Sequence, residues 1–106
     1  MSGFIKVATV SEIPPGHKKT VEVDGVLVVL VNLDGTFYAV EDMCTHDGGP
    51  LGEGRLDGCR LICPRHGAAF DVRTGAALKM PAFEPVPTYP VRVQGDEVWV
   101  KTTNEE

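Results

Sequence analysis

The side chains able to do chemistry come in two matched pairs, Cys44-Thr45-His46 and, after sixteen intervening residues, Cys63-Pro64-Arg65-His66. Residues 44–70 hold all three cysteines and two of the three histidines of the 106-residue chain. C-x-H followed by C-x-x-H gives each segment one thiolate and one imidazole, sulfur and nitrogen donors of the kind that hold zinc or iron. Gly48, Gly49 and Gly67 stand beside the pairs and let the backbone take positive φ and approach closely. Either pair alone reads most simply as a small buried thiol next to a satisfied imidazole. Two such pairs inside one Gly-rich segment point instead to a metal centre. A Cys2His2 zinc site offers the same donors, although its usual pattern sets Cys with Cys and His with His. One of each per segment suits a binuclear centre better, with both cysteines on one iron and both histidines on the other.

The elements that must position these pairs read as short strands. Eight prolines and twelve glycines interrupt any helical periodicity, so an all-β chain is expected. Residues 20–23 and 26–33 flank Asp24-Gly25, and Leu33 and residues 36–40 flank Asp34-Gly35, two hairpin signals that give a meander of about three strands. Near the other end, residues 89–93 and 97–102 flank a Gly95-Asp96 turn and form a second hairpin. Residues 4–7 supply an opening strand, and 102–106 form a polar tail. Between the hairpins lies a Gly-rich segment, about 42–86, with short strand-like pieces at 60–62 and 69–72. A segment that long needs something to hold it. A metal bound by the two pairs would do so.

Bulk properties narrow the classes. A chain of 106 residues is one domain, with a core burying roughly 60–70% of the unfolded surface. The longest apolar run, 26–31, is too short to cross a bilayer, and the opening MSGFIKVATV lacks the parts of a secretory signal, so the cytoplasm is the expected location. An odd number of cysteines without an export signal argues against a disulfide framework. A net charge of −5 with scattered Lys and Arg argues against nucleic acid and suits a basic protein partner. No nucleophile stands with a base and an orienting group, so catalysis by this chain is not expected.

Taken together, the CTH and CPRHG blocks resemble the Rieske [2Fe–2S] proteins, in which two histidines replace two cysteines on one iron. Within them, the chain is most similar to the small soluble ferredoxins of bacterial ring-hydroxylating dioxygenases. The likeness covers nearly the whole chain, including 44–54, 63–75 with its FDVRTG turn, and PAFEPVPTYPV. It implies the Rieske fold, an antiparallel β-sandwich or barrel base domain carrying an inserted cluster-binding subdomain. It implies one [2Fe–2S] cluster held by Cys44, His46, Cys63 and His66. It also implies one-electron transfer from a flavin-dependent reductase to a terminal non-haem iron oxygenase, the chain itself being no enzyme and acting as a monomer. A noncatalytic Rieske-like small subunit of a larger oxidoreductase, such as nitrite reductase, is the alternative, and retention of all four ligands disfavours it. A zinc-stapled interaction module is a third.

Exchanging two thiolates for neutral imidazoles raises the potential above that of an all-Cys cluster, into a range of about −150 to +300 mV. In high-potential respiratory relatives a serine and a tyrosine donate hydroxyl hydrogen bonds to cluster sulfurs, and an extra cysteine in each loop forms a disulfide. The matching positions here are Ala68 and Phe70, neither of which can donate, and Asp47-Gly48-Gly49 and Arg65 stand in the loops. The low end of the range is therefore expected. Cys59 reads as a small side chain in a turn, His17 as a solvated histidine, Phe37 and Trp99 as core. Arg65 and Arg73 flank the centre, and Pro81, Pro85 and Pro87 suit a stiff covering loop.

Overall fold

The computed structural model describes residues 3–43, 49–64, 67–80 and 84–102. The fold is all-β, and every strand pairing within the described residues is antiparallel. β1 (Ile5–Thr9) stands apart, and the meander comprises β2 (Lys18–Val23), β3 (Val26–Leu33) and β4 (Thr36–Glu41). Val23 pairs with Val26 and Leu33 with Thr36, so each connection is a two-residue turn. Both turns carry positive φ at consecutive residues, 53° and 79° at Asp24 and Gly25, 52° and 96° at Asp34 and Gly35. That conformation matches the twist of the flanking strands and is open to Asp-Gly at little steric cost.

Four short strands follow: β5 (Arg55–Asp57), β6 (Arg60–Ile62), β7 (Ala69–Asp71) and β8 (Ala77–Lys79). They form a separate sheet in the order β5-β6-β7-β8. The chain then returns through β9 (Thr88–Tyr89), which adds to the edge of β4, and ends in the hairpin β10 (Val91–Gln94) and β11 (Glu97–Val100). β1 pairs with β11, giving a third sheet ordered β1-β11-β10.

Two cores share the central strands β3 and β4: Val40 of β4 lies in one, Phe37 and Ala39 in the other. Val28 and Leu30 of β3 pack with Ile13, Phe37, Val98 and Val100, whereas Val29 and Val31 pack with Leu51, Leu61, Phe70 and Val86. Successive side chains of a strand point to opposite faces, so a strand buried on both faces must be apolar throughout. This is the physical origin of the apolar stretch 28–31, whereas Leu27, at the start of the run, is 51% exposed. Asn32, only 2% exposed, ties the end of the strand down: its Nδ2 donates to the Ile13 carbonyl (2.7 Å) and its Oδ1 accepts from Gly35 N–H (2.7 Å).

Phe37 is buried as expected, but Trp99 is not a core residue. On β11 the buried side chains are Val98 and Val100, and alternation turns Trp99 to the opposite face, where it is half-exposed and its Nε1 donates to Glu97 (3.3 Å). His17 is exposed, as expected of a loop histidine.

Candidate metal centre

Cys63 leaves β6 and enters the core. Its residue is 2% exposed and it packs with Leu61, Ala68 and Phe70 in the core that joins the insert to β3. Its backbone N–H donates to the Ala68 carbonyl (2.6 Å), and its carbonyl accepts from Gly67 N–H (3.1 Å). These two bonds extend the β6–β7 hairpin by one rung beyond the Ile62–Ala69 pair and hold Cys63 beside Gly67. Gly67 has φ +77°, a conformation few side chains tolerate.

The segment carrying Cys44 and His46 is closed at its neck by a different device. Asp42 follows β4 and Gly52 lies in a short 3-10 turn (Leu51–Glu53); the Gly52 N–H donates to Asp42 Oδ1 at 2.6 Å. The Gly52 carbonyl accepts from Lys18 Nζ of β2, also at 2.6 Å. Leu51, fully buried, plugs the turn into the core below. Gly54 then runs so close to β6 that a Cβ would overlap the Ile62 carbonyl. Cys44, His46, Arg65, His66 and Pro81 lie outside the described residues.

The FDVRTG stretch forms the far turn of the same sheet. Asp71 Oδ1 accepts from Arg73 N–H (2.9 Å) and Arg73 Nε (3.1 Å), and Oδ2 accepts from Arg73 Nη2 (2.9 Å). The Arg73 guanidinium holds the Asp71 carboxyl below its ordinary value, and Asp71 holds the guanidinium above its own. Gly75 N–H donates to the Asp71 carbonyl (2.6 Å), and Val86 N–H donates to the Gly75 carbonyl (2.8 Å), tying the sheet to the returning strand. Arg73 is thus held in a structural pair, its guanidinium half-exposed to solvent.

Cys59 stands at the opposite end of β6 from Cys63, in the β5–β6 turn, half-buried. It borders a shallow groove of about 460 Å³ with Leu33, Asp34 and Leu56, away from the ligand loops. The structure thus separates the spare thiol from the paired one.

Cys63, the described member of the expected donor set, has a setting that suits an iron–sulfur cluster. Cys63 offers a soft donor at the surface of an apolar core, in a loop whose ends are already fixed by backbone hydrogen bonds. A buried thiolate needs a compensating positive charge, which bound iron supplies.

Comparison with known proteins agrees. Residues 3–90 match the Rieske [2Fe-2S] domain, and the chain belongs to that family, whose cofactor is a [2Fe–2S] cluster. The chain is 42% identical over 98 residues to the biphenyl dioxygenase ferredoxin subunit of Pseudomonas sp. (strain KKS102), covering 92% of this chain and 90% of that one. Its structure is similar to the ferredoxin of carbazole 1,9a-dioxygenase from Nocardioides aromaticivorans IC177, with a TM-score of 0.93 and 35% identity over 96% of this chain and 100% of that one. A chain in a complex of reduced oxygenase and oxidized ferredoxin of carbazole 1,9a-dioxygenase is also similar, with a TM-score of 0.89 and 36% identity over 95% and 94% of the two chains.

Proposed function

We propose that this chain is a low-potential Rieske ferredoxin, an electron-transfer protein rather than an enzyme. It takes one electron from a flavin-dependent reductase and passes it to a terminal non-haem iron oxygenase. Cys44, His46, Cys63 and His66 hold one [2Fe–2S] cluster. The unit is a single Rieske domain of 1–106, with the cluster-binding subdomain at about 42–86, working as a cytoplasmic monomer. When bound, the cluster supplies a one-electron centre whose charge is lowered by imidazole ligation.

The observation that carries this reading is Cys63: a buried thiol at the start of the C-x-x-H segment, its backbone hydrogen-bonded to Ala68 and Gly67, in a chain that aligns over 92% of its length with a dioxygenase ferredoxin subunit. The chain's own residues set the poise. Ala68 and Phe70, which follow that segment, are both fully buried, and neither side chain brings a hydroxyl. Among the described residues, no helix is long and apolar enough to cross a membrane, in keeping with a carrier that diffuses between partners.

The test is an EPR spectrum of the dithionite-reduced protein with a redox titration of the same sample. The expected result is a rhombic signal of mixed nitrogen and sulfur ligation, with a midpoint in the lower part of about −150 to +300 mV. Colourless, EPR-silent protein containing zinc would sink the cluster assignment. A strongly positive midpoint would keep the cluster and refute the low-potential reading.

A further inference from the structure

The backbone of Gly52 is held from both sides. Its N–H donates to Asp42 Oδ1 and its carbonyl accepts from Lys18 Nζ, each at 2.6 Å. Both are charge-assisted hydrogen bonds, the stronger kind, and both are partly shielded from water. Asp42 is itself anchored, since its backbone N–H donates to the Leu27 carbonyl (2.9 Å). Lys18 is anchored by pairing with Val31 in the base sheet. Only glycine fits between them: a Cβ at position 52 would overlap Thr20 Oγ1 and stand 3.2 Å from the Asp42 carboxylate. The chain leaving the base sheet at Asp42 and the chain returning at Gly52 are therefore pinned ten residues apart, to each other and to β2.

We propose that Asp42 and Lys18 are positioning residues that clamp the neck of the loop bearing Cys44 and His46, presetting the spacing of that ligand pair from Cys63. This rests on the four-ligand cluster proposed above. Neither residue is a ligand. They act through the Gly52 peptide, as the outer hydrogen bonds of a metal site orient the groups that touch the metal. The second loop needs no such side chains, because backbone bonds to Ala68 and from Gly67 close it. The first loop is longer and its neck lies outside any strand pairing, so side chains must do what the ladder does for the second.

The experiment compares wild-type protein, Asp42→Ala, Asp42→Asn and Lys18→Met after cluster loading. Three quantities are read: the rate of cluster loss to a chelator, the visible circular dichroism of the oxidised cluster, and the thermal midpoint. Val23→Ala, a cavity in the other core, serves as a remotely destabilised control. Asp42→Ala is expected to lose its cluster about tenfold faster, the lower end of what outer hydrogen-bond partners contribute to metal retention. Its visible dichroism should change as well. Asp42→Asn keeps an oxygen acceptor and should return both readouts close to wild type, while Lys18→Met should move them in the same direction as Asp42→Ala. The clamp is overturned if Asp42→Ala and Lys18→Met keep wild-type dichroism and loss rates. It is equally overturned if their loss rates simply follow thermal midpoint along the line set by Val23→Ala. Wild-type protein that accepts no cluster would overturn the ligand assignment and the clamp together, whereas a loaded wild type with unaltered variants would overturn the clamp alone.

Discussion

Phe70 and Cys63 show how much one atom decides at this site. Both lie in the core that joins the insert to β3, and Phe70 is fully buried. A tyrosine there adds a hydroxyl and nothing else. If that hydroxyl reaches a cluster sulfur or the Cys63 thiolate, it stabilises the electron-rich reduced state and raises the potential. If it reaches nothing, a buried donor is left unpaired at a cost of about 1–3 kcal/mol. Phe70→Tyr is expected to raise the midpoint, each tenfold preference for the reduced state adding roughly 60 mV in a one-electron couple. Ala68→Ser should act in the same direction. Voltammetry beside a thermal melt separates the two cases, because an unmoved midpoint with a lowered melting temperature would mean that the hydroxyl has no acceptor.

The insert sheet has strands of only three residues each, so its turns must supply rigidity that ladder hydrogen bonds do not. Asp71 is the main fastener of the β7–β8 turn, with its carboxylate on Arg73 and its carbonyl on Gly75. The hydrogen bonds from Arg73 lower the Asp71 pKa in the folded state, so the folded protein binds this proton less readily than the unfolded chain. The stabilisation is therefore complete above the unfolded value of about 3.9 and is lost as pH falls through the lower folded value. Asp71→Asn is expected to melt several degrees below wild type, by a constant margin between about pH 5 and 8, with the gap closing below about pH 4. Melting curves across that range check it; a margin that widened in acid would reverse the sign. Elements were legible in the sequence where local chemistry dictates them. Asp24-Gly25 and Asp34-Gly35 fixed two turns because few other dipeptides adopt their backbone, and Gly95, at φ +61°, a third. β5 and β8 escaped because Arg55–Asp57 and Ala77–Lys79 carry no alternating β-rich pattern. The pairing of β1 with β11 escaped because a contact between the two ends of a chain leaves no local signature. The C-x-H and C-x-x-H pairs stood out because metal chemistry restricts both residue type and spacing, and of their four members the described structure includes Cys63. The Asp42–Gly52–Lys18 clamp was not, its partners lying 10 and 34 residues apart in ordinary polar positions.

At the scale of the whole molecule, the arrangement is two modest cores on either face of β3, with the insert sheet closing one and the β1-β11-β10 sheet closing the other. A Cα radius of gyration of 12.9 Å is what a compact chain of this length adopts, so neither core is large. The core that includes Cys63 is roofed by three-residue strands and Gly-rich turns, so it is the one that a bound cluster would stabilise most. The opposite core is closed by the five-residue β1 and the β10–β11 hairpin, all remote from the ligand loops in sequence. Binding that favours only the folded insert stabilises the insert first and the rest through β3 and β4, the strands common to both cores. Removing the cluster should therefore speed amide exchange chiefly in β5–β8, by roughly tenfold for each 1.4 kcal/mol of local stability lost. Amides of β1, β10 and β11 should keep most of their protection. Hydrogen exchange with mass spectrometry on cluster-loaded and chelator-treated protein distinguishes this from the other possible coupling. If all three sheets lose protection by the same factor, β3 and β4 transmit the loss through their side chains and the molecule opens as one cooperative unit. A selective loss in the insert means that these strands insulate the two faces, leaving the base as a scaffold on which the cluster loops can reassemble.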